Sequence, residues 1–285
     1  MTVNQEINLA PNHKMGLPLP NPVMLAAGVL GYGELSLRGL DPAILGGVVV
    51  GPVTRRSSAG QSGPRMAEGG GGAVLNSGGQ NRGVSAVVRK LAHHWPRLGC
   101  PVILHIGDTH PRAAAATVEK LAGVDGLMGL EVGIPHGSYD EEAWELVQAV
   151  VRRTDLPVLT RLPLDRATDL ASAVVEAGAS ALVMGQPPRG QLPATDGTPV
   201  VGNLYGPLTF PLMLVALGEV GRLNLGVPLV ACGGIHTPAQ ARHALAAGAI
   251  AFQIDSAAWI EPGLPGRIVN QFQMTLLREP RISPI

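Results

Sequence analysis

The sequence predicts an α/β fold, a single (β/α)8 TIM barrel with long loops on its carboxyl-terminal face, and three observations favour it. The chain has 285 residues, an ordinary length for one such barrel. Short apolar runs alternate along it with helical patterns. There are eight such runs, and eight strands in βα alternation fit a closed barrel better than an open sheet. We therefore expect residues 1–285 to form one domain.

The eight predicted strands are short, aliphatic and apolar on both faces, as parallel strands covered on both sides are. An open Rossmann-type sheet is the alternative, but no G-x-G-x-x-G motif follows the first strand. The strands are expected at Val23–Ala27, Gly47–Val53, Val102–Ile106, Leu127–Val132, Val158–Leu162, Ala181–Met184, Leu229–Cys232 and Ile250–Ile254.

Amphipathic or alanine-rich segments between these runs predict the helices. Several end in a small residue followed by glycine, as in EAGAS and AAGAI, which is a common helix stop. The helices are expected at Val84–His94, Pro111–Ala122, Glu141–Arg152, Ala167–Ala177, Pro207–Val220, Pro238–Ala247 and Gly266–Leu277.

Two long connections, Arg55–Gly83 and Gln186–Tyr205, interrupt the alternation and show little periodicity. Connections of this length in a compact domain are usually functional or disordered. Both follow predicted strands, so both are expected on the carboxyl-terminal face, where barrels of this kind place their sites.

Composition excludes several classes of function. Lys plus Arg and Asp plus Glu both number 21, and this balance argues against nucleic acid or an acidic membrane as partner. No run approaches about 18 consecutive apolar residues, so no membrane span is expected. The two cysteines, Cys100 and Cys232, are too few for a four-thiolate metal site. With no hydrophobic signal core at the start of the chain, they favour the reducing cytoplasm.

Residues at the carboxyl ends of the strands are the candidates for a site, because those ends face the mouth of a barrel. They are Ala26–Gly28, Gly51–Thr54, His105, Glu131–His136, Arg161, Gly185–Gln186, Gly233–Gly234 and Asp255–Ser256. Glycines after the seventh strand expose backbone N–H groups, which suit a phosphate, although they would also permit tight packing. Arg161 could neutralise an anionic ligand or pair with Glu131, and His105 could be a core histidine.

Four stretches carry a resemblance that runs in order over nearly the whole chain: NPVMLAAGVLGYG, LNSGGQNRG, YGPLTFPLMLVALGEV and VPLVACGGIHTPAQARHALAAGAIAFQI. Together they resemble the dihydroorotate dehydrogenase family, most closely its class 1 type. The resemblance implies an FMN-dependent oxidoreductase that acts on a small-molecule substrate, with FMN at the carboxyl end of the barrel. The implied cofactor-binding residues are Ala26, Ala27, Gly28, Arg161, Gly206, Gly233, Gly234 and Ser256.

The substrate side departs from the family pattern. The resemblance implies that Asn76 binds the pyrimidine substrate. The family's fourth strand leads to a cysteine or serine base, whereas LEVGIPHGSYD has Gly133 at an asparagine position and no matching base. His136 in this loop is the candidate for proton transfer, because the intrinsic pKa of histidine suits that role. Gly51 replaces an expected lysine, and GQPPRG replaces an asparagine-containing cluster after the sixth strand. Because each lost asparagine leaves a substrate amide unpaired, altered or lost pyrimidine binding is expected.

Two alternatives stay open at this point. A catalytically silent relative could keep the barrel for assembly or regulation, and a non-flavin barrel enzyme could bind a phosphorylated metabolite at Gly233–Gly234. Class 1 relatives are commonly dimeric, so the resemblance implies a homodimer, and Trp259 near the last helix would suit an interface.

Overall fold

The computed structural model describes residues 7–278, with side chains as far as residue 272. Residues 1–6, part of the segment expected to hold no signal core, lie outside this range. The described residues form fourteen strands: β1 (Ile7–Asn8), β2 (Pro18–Leu19), β3 (Val23–Leu25), β4 (Gly47–Val53), β5 (Met66–Gly69), β6 (Gly72–Leu75), β7 (Val102–Ile106), β8 (Gly129–Gly133), β9 (Val158–Pro163), β10 (Ala181–Gln186), β11 (Arg189–Pro193), β12 (Pro199–Tyr205), β13 (Leu229–Cys232) and β14 (Ala251–Ile254).

Eight of these strands close a parallel barrel in the order β3-β4-β7-β8-β9-β10-β13-β14, which confirms the predicted (β/α)8 architecture. Every predicted strand is present, with ends that differ by at most two residues. The strands are buried nearly throughout, as their apolar character on both faces requires. The carboxyl ends of all eight strands therefore meet at one mouth.

Eight α-helices accompany the barrel within the described range. They are α1 (Val84–Lys90), α2 (Pro111–Val118), α3 (Asp140–Val151), α4 (Ala167–Glu176), α5 (Thr209–Arg222), α6 (Pro238–Ala246), α7 (Ala257–Ile260) and α8 (Leu264–Arg278). The first predicted helix is divided, because a 3-10 segment containing Pro96, which lacks an N–H, follows α1.

The two long connections contain four strands that the sequence analysis did not predict. Strands β5 and β6 from the first and β11 and β12 from the second form an antiparallel sheet, ordered β11-β12-β6-β5, which we call the cap sheet. Ala67, Val74 and Val200 form its own small apolar cluster. Each strand is short and rich in glycine or proline, and the pairing of β6 with β12 joins distant segments, so local periodicity does not reveal it.

The hydrophobic core is almost entirely aliphatic, as the scarcity of aromatic residues indicates. The β1–β2 ribbon contributes Leu9 and Leu17 to this core, both fully buried. Leu17 lies against Gly129 at the amino end of β8, so the ribbon covers that end of the barrel. No helix in residues 7–278 is long and apolar enough to cross a membrane.

Candidate active site

The Gly233–Gly234 turn follows β13 and is fixed by close packing against the start of α5. Both glycines have positive φ, +90° and +71°. A Cβ on Gly234 would lie 2.3 Å from the backbone nitrogen of Phe210, so no other residue fits without movement of the helix. These glycines therefore allow the turn to pack tightly against α5.

The same turn also presents unpaired backbone donors. Two of them are the N–H groups of Gly234 and Ile235, and a third is that of Ala257, which follows β14. All three residues are buried, yet these N–H groups donate to no acceptor among the described residues. The buried Nε2 of His236 also lacks a partner there. Buried N–H groups are almost always paired in native proteins, so a cluster of free ones indicates a missing acceptor. A phosphate has the acceptor oxygens that these donors lack, so phosphate binding stays a prediction beside the packing role of the glycines. We call the turns Gly233–Ile235 and Ser256–Ala257 the cradle.

Asp255 places a carboxyl group beside these donors. The side chain is buried, and its Oδ2 lies 3.1 Å from the position of a Cβ on Gly233. The hydroxyl of Ser256 donates to Asp255 Oδ1 at 3.2 Å. Burial raises the pKa of Asp255, and the opposing effects of Arg161 and Ser256 do not cancel it. An anionic ligand would thus meet a carboxyl group that holds its proton more readily than an exposed aspartate.

The turn after β3 lies next to this cradle and borders open space. The N–H of Ala26 donates to the carbonyl of Ile254 at 2.9 Å, which ties the end of β3 to the end of β14. Ala27 and Gly28 are half-buried, and no atom lies within 4 Å of a Cβ placed on Gly28. The turn therefore leaves space at Gly28, next to the end of β14.

Gly206 has a structural role in the described residues. A Cβ there would lie 2.7 Å from the carbonyl oxygen of Gly71, so this glycine lets the β5–β6 hairpin of the cap sheet approach α5. Its own carbonyl accepts the hydroxyl of Thr209 at 2.8 Å. Gly206 therefore couples the cap sheet to the helix that carries Phe210.

Arg161, on β9, is buried at the barrel mouth. Its Nε donates to the carbonyl of Gly185 at 2.9 Å, Nη2 donates to the sulfur of Cys232 at 3.0 Å, and Nη1 lies 3.8 Å from Glu131 Oε1. Burial raises the pKa of the Cys232 thiol to about 12, although Arg161 opposes this shift. The sulfur is therefore a neutral acceptor. Arg161 thus pairs with Glu131 and also borders the cradle.

Glu131 and His105, both among the strand-end candidates of the sequence, form a hydrogen-bonded pair at the barrel mouth. The Nδ1 of His105 lies 2.8 Å from Glu131 Oε1, and Gln253 donates to Glu131 Oε2 at 2.7 Å. Burial alone would raise the pKa of Glu131, but His105, Arg161 and Gln253 outweigh it and the pKa is lowered. Glu131 is therefore an ionised carboxylate with no exposed surface. The one available signal was that both residues end neighbouring strands.

His136 and Asn76 lie on the loops around the mouth, and their predicted roles stay predictions. The Nε2 of His136 bonds the carbonyl of Pro187 at 2.9 Å, so only Nδ1 is free. The amide of Asn76 donates to the carbonyl of Val201 at 2.6 Å and accepts the N–H of Gly78 at 2.9 Å. Asn76 thereby joins the loop after β6 to the cap sheet.

Two cavities lie outside the mouth. One of about 630 Å³ borders the amino ends of β13 and β14, and another of about 420 Å³ lies between the starts of α2 and α3 and is lined partly by His136. Within residues 7–278, no three His, Cys, Asp or Glu side chains are grouped as metal ligands would be.

Comparison with known proteins gives a consistent result. The family model described as dihydroorotate dehydrogenase matches residues 11–276. Three relatives are each named dihydroorotate dehydrogenase B (NAD(+)), catalytic subunit. That of Desulforudis audaxviator is 32% identical, covering 93% of this chain and 91% of the relative. That of Pelobacter propionicus is 30% identical, covering 97% and 94%. That of Geobacter sulfurreducens is 29% identical, covering 92% and 91%.

The match spans all eight barrel strands and both turns of the cradle. The match agrees with the barrel fold and with the free N–H donors at the mouth, which suit a ligand that carries a phosphate. The chain belongs to the dihydroorotate dehydrogenase family, flavin-dependent oxidoreductases of pyrimidine biosynthesis that act on CH–CH groups.

Proposed function

We propose that the protein is a cytoplasmic, FMN-dependent dehydrogenase that oxidises the CH–CH bond of a dihydropyrimidine. The observation that carries the proposal is the cluster of buried, unpaired N–H groups of Gly234, Ile235 and Ala257. These donors fit the phosphate of FMN, and the family membership makes a flavin the appropriate ligand. When bound, the flavin supplies the two-electron acceptor that CH–CH oxidation needs.

The other parts of the mouth would hold the flavin ring. Ala26, Ala27 and Gly28 would back the ring, and no atom lies within 4 Å of a Cβ placed on Gly28. Arg161 would place positive charge near the ring, which favours the reduced state. This effect is smaller than that of an unpaired cation, because Glu131 lies 3.8 Å from the guanidinium. Ser256 would act indirectly, since its hydroxyl is turned to Asp255.

The substrate contacts would differ from those the family resemblance implies. Both groups of the Asn76 carboxamide already bond the protein backbone, which leaves this residue less free to bind a pyrimidine. Each substrate amide left unpaired in a closed site costs about 1–3 kcal/mol. We therefore expect weak binding of dihydroorotate, or a preference for a related dihydropyrimidine.

The test is anaerobic addition of dihydroorotate, and separately dihydrouracil, to the protein loaded with FMN. The flavin absorption should bleach with one or both. A silent relative would bind FMN, if at all, without bleaching. A barrel enzyme for phosphorylated metabolites would instead be stabilised in a thermal-shift assay by phosphorylated sugars and would not bind FMN.

For the assembly we propose a homodimer that works with a second, different subunit. The relatives are named catalytic subunits, which supports a partner chain. The exposed apolar side chains of Leu212 and Val215 lie on one face of α5, and Leu208, the residue before the helix, extends that face. Trp259 and Ile260 are exposed on α7. The ring of Trp259 lies 5.8 Å from that of Tyr205, just before α5, so the two surfaces adjoin.

Light scattering of the isolated chain should give twice its mass of 29.4 kDa. Val215→Glu should give the single-chain mass, because it places a charge in the apolar face. Val201→Glu, an exposed position in the cap sheet, is the control and should stay dimeric. A single-chain mass for the unmodified protein would rule out the dimer.

A further inference from the structure

The His105–Glu131 pair has the arrangement of a histidine oriented by a carboxylate. The two residues are neighbours in register on β7 and β8, so both side chains enter the barrel mouth. Glu131 is ionised and can only accept a hydrogen bond, so Nδ1 of His105 carries the proton of their 2.8 Å contact. In a neutral ring this leaves Nε2 as the atom with a free lone pair.

The Nε2 edge of His105 is open. Nε2 bonds no group among the described residues, and 13% of the side chain is exposed. A Cβ on Gly133 would lie 3.2 Å from Cε1 and 3.4 Å from Nε2, so any side chain there would press on this edge. The same point is 3.3 Å from Gln186 Oε1, which forms the opposite wall. The absence of a side chain at Gly133 thus gives the imidazole access to the mouth.

The surrounding groups keep the carboxylate from taking a proton itself. Arg161 lies 3.8 Å from the oxygen that His105 bonds, and Gln253 donates to the other oxygen. Glu131 is thereby held ionised in a fixed position. His136, the other histidine near the mouth, has its Nε2 occupied by the carbonyl of Pro187.

We propose that His105 is the proton acceptor of the reaction and that Glu131 is its positioning residue, an inference that rests on the proposed function. A C–H bond of the substrate breaks, and its proton passes to Nε2 of His105. The electron pair of that bond forms the new C=C bond, and the bound flavin would supply the oxidant that takes the hydride of the neighbouring carbon. The imidazolium formed is stabilised by the Glu131 carboxylate 2.8 Å away.

The rate of flavin bleaching under anaerobic conditions tests this assignment. His105→Asn should slow bleaching by about 10²- to 10⁴-fold, the usual contribution of a general base, and keep the FMN spectrum. His243→Asn, at an exposed position on the outer helix α6, is the matched control and should bleach within a few-fold of the unmodified rate. Glu131→Gln keeps an acceptor for Nδ1 but loses the charge, so its rate should fall between the two.

A second readout uses the flavin-free protein. Diethylpyrocarbonate should modify Nε2 of His105, as mass spectrometry of the peptides would show, and FMN with orotate should protect it. The exposed His110 should be modified under both conditions.

If His105→Asn bleaches at the unmodified rate, or if FMN with orotate leaves His105 unprotected, His105 is not the base. If the unmodified protein binds no FMN, the proposed function fails instead.

Discussion

Replacing Arg161 with methionine is expected to lower the free energy of unfolding by about 3 kcal/mol, because it strips a buried carboxylate of its cation. Glu131 has no exposed surface, so water cannot replace the guanidinium. The Glu131 carboxylate would keep its hydrogen bonds with His105 and Gln253. We therefore expect a loss of stability at the low end of the range for broken buried ion pairs. The carbonyl of Gly185 and the sulfur of Cys232 would also lose a donor.

Urea unfolding followed by circular dichroism measures this effect, and the double variant Glu131→Gln/Arg161→Met is its control. The double variant removes both charges, so it should recover much of the stability that the single variant loses. A loss below about 1 kcal/mol in the single variant would mean that the pair is solvated in solution.

Replacing Asp255 with asparagine is expected to tighten FMN binding by on the order of 10-fold or more at a pH above the raised pKa of Asp255, where the carboxyl group is ionised. The carboxyl group lies beside the proposed phosphate cradle, and two like charges a few ångströms apart repel by about 3 kcal/mol at the effective dielectric of a protein. Asparagine keeps the shape and removes the charge. Asp108→Asn is the control, because this buried carboxylate bonds the N–H of Arg55 and the hydroxyl of Thr117 instead.

Ionisation of Asp255 gives FMN binding by the unmodified protein a pH dependence of definite sign. The pKa of Asp255 is raised in the fold, so the folded protein holds this proton at a pH where the unfolded chain has lost it. Its contribution to stability is therefore largest on the acid side and is lost as pH rises through the raised pKa. FMN affinity should fall over the same range. Fluorescence titrations of FMN at several pH values should show this fall for the unmodified protein and not for Asp255→Asn.

The barrel could be predicted from the sequence because its signals are local. A strand such as Val158–Pro163 is buried on both faces, so it reads as one apolar run, and glycine or proline marks its ends. The Gly233–Gly234 turn could be placed for the same reason, since its position after the seventh strand is itself informative, while phosphate binding there stays a prediction. The order of strands then followed from the alternation alone.

The cap sheet and the His105–Glu131 pair could not be predicted in this way. Strand β12 pairs with β6, and no local pattern records a partner so far along the chain. His105 and Glu131 were both visible as strand ends, but whether they touch depends on barrel register and side-chain direction. Polar residues within apolar strands were the available hint.

The most direct measurement is the absorption spectrum of the FMN-loaded protein during anaerobic titration with dihydroorotate and with dihydrouracil. The protein should bind FMN, become yellow, and lose its flavin absorption in proportion to the substrate that is oxidised. A protein that stays colourless after FMN is added, or a bound flavin that dithionite bleaches but neither dihydropyrimidine does, would contradict the proposed function.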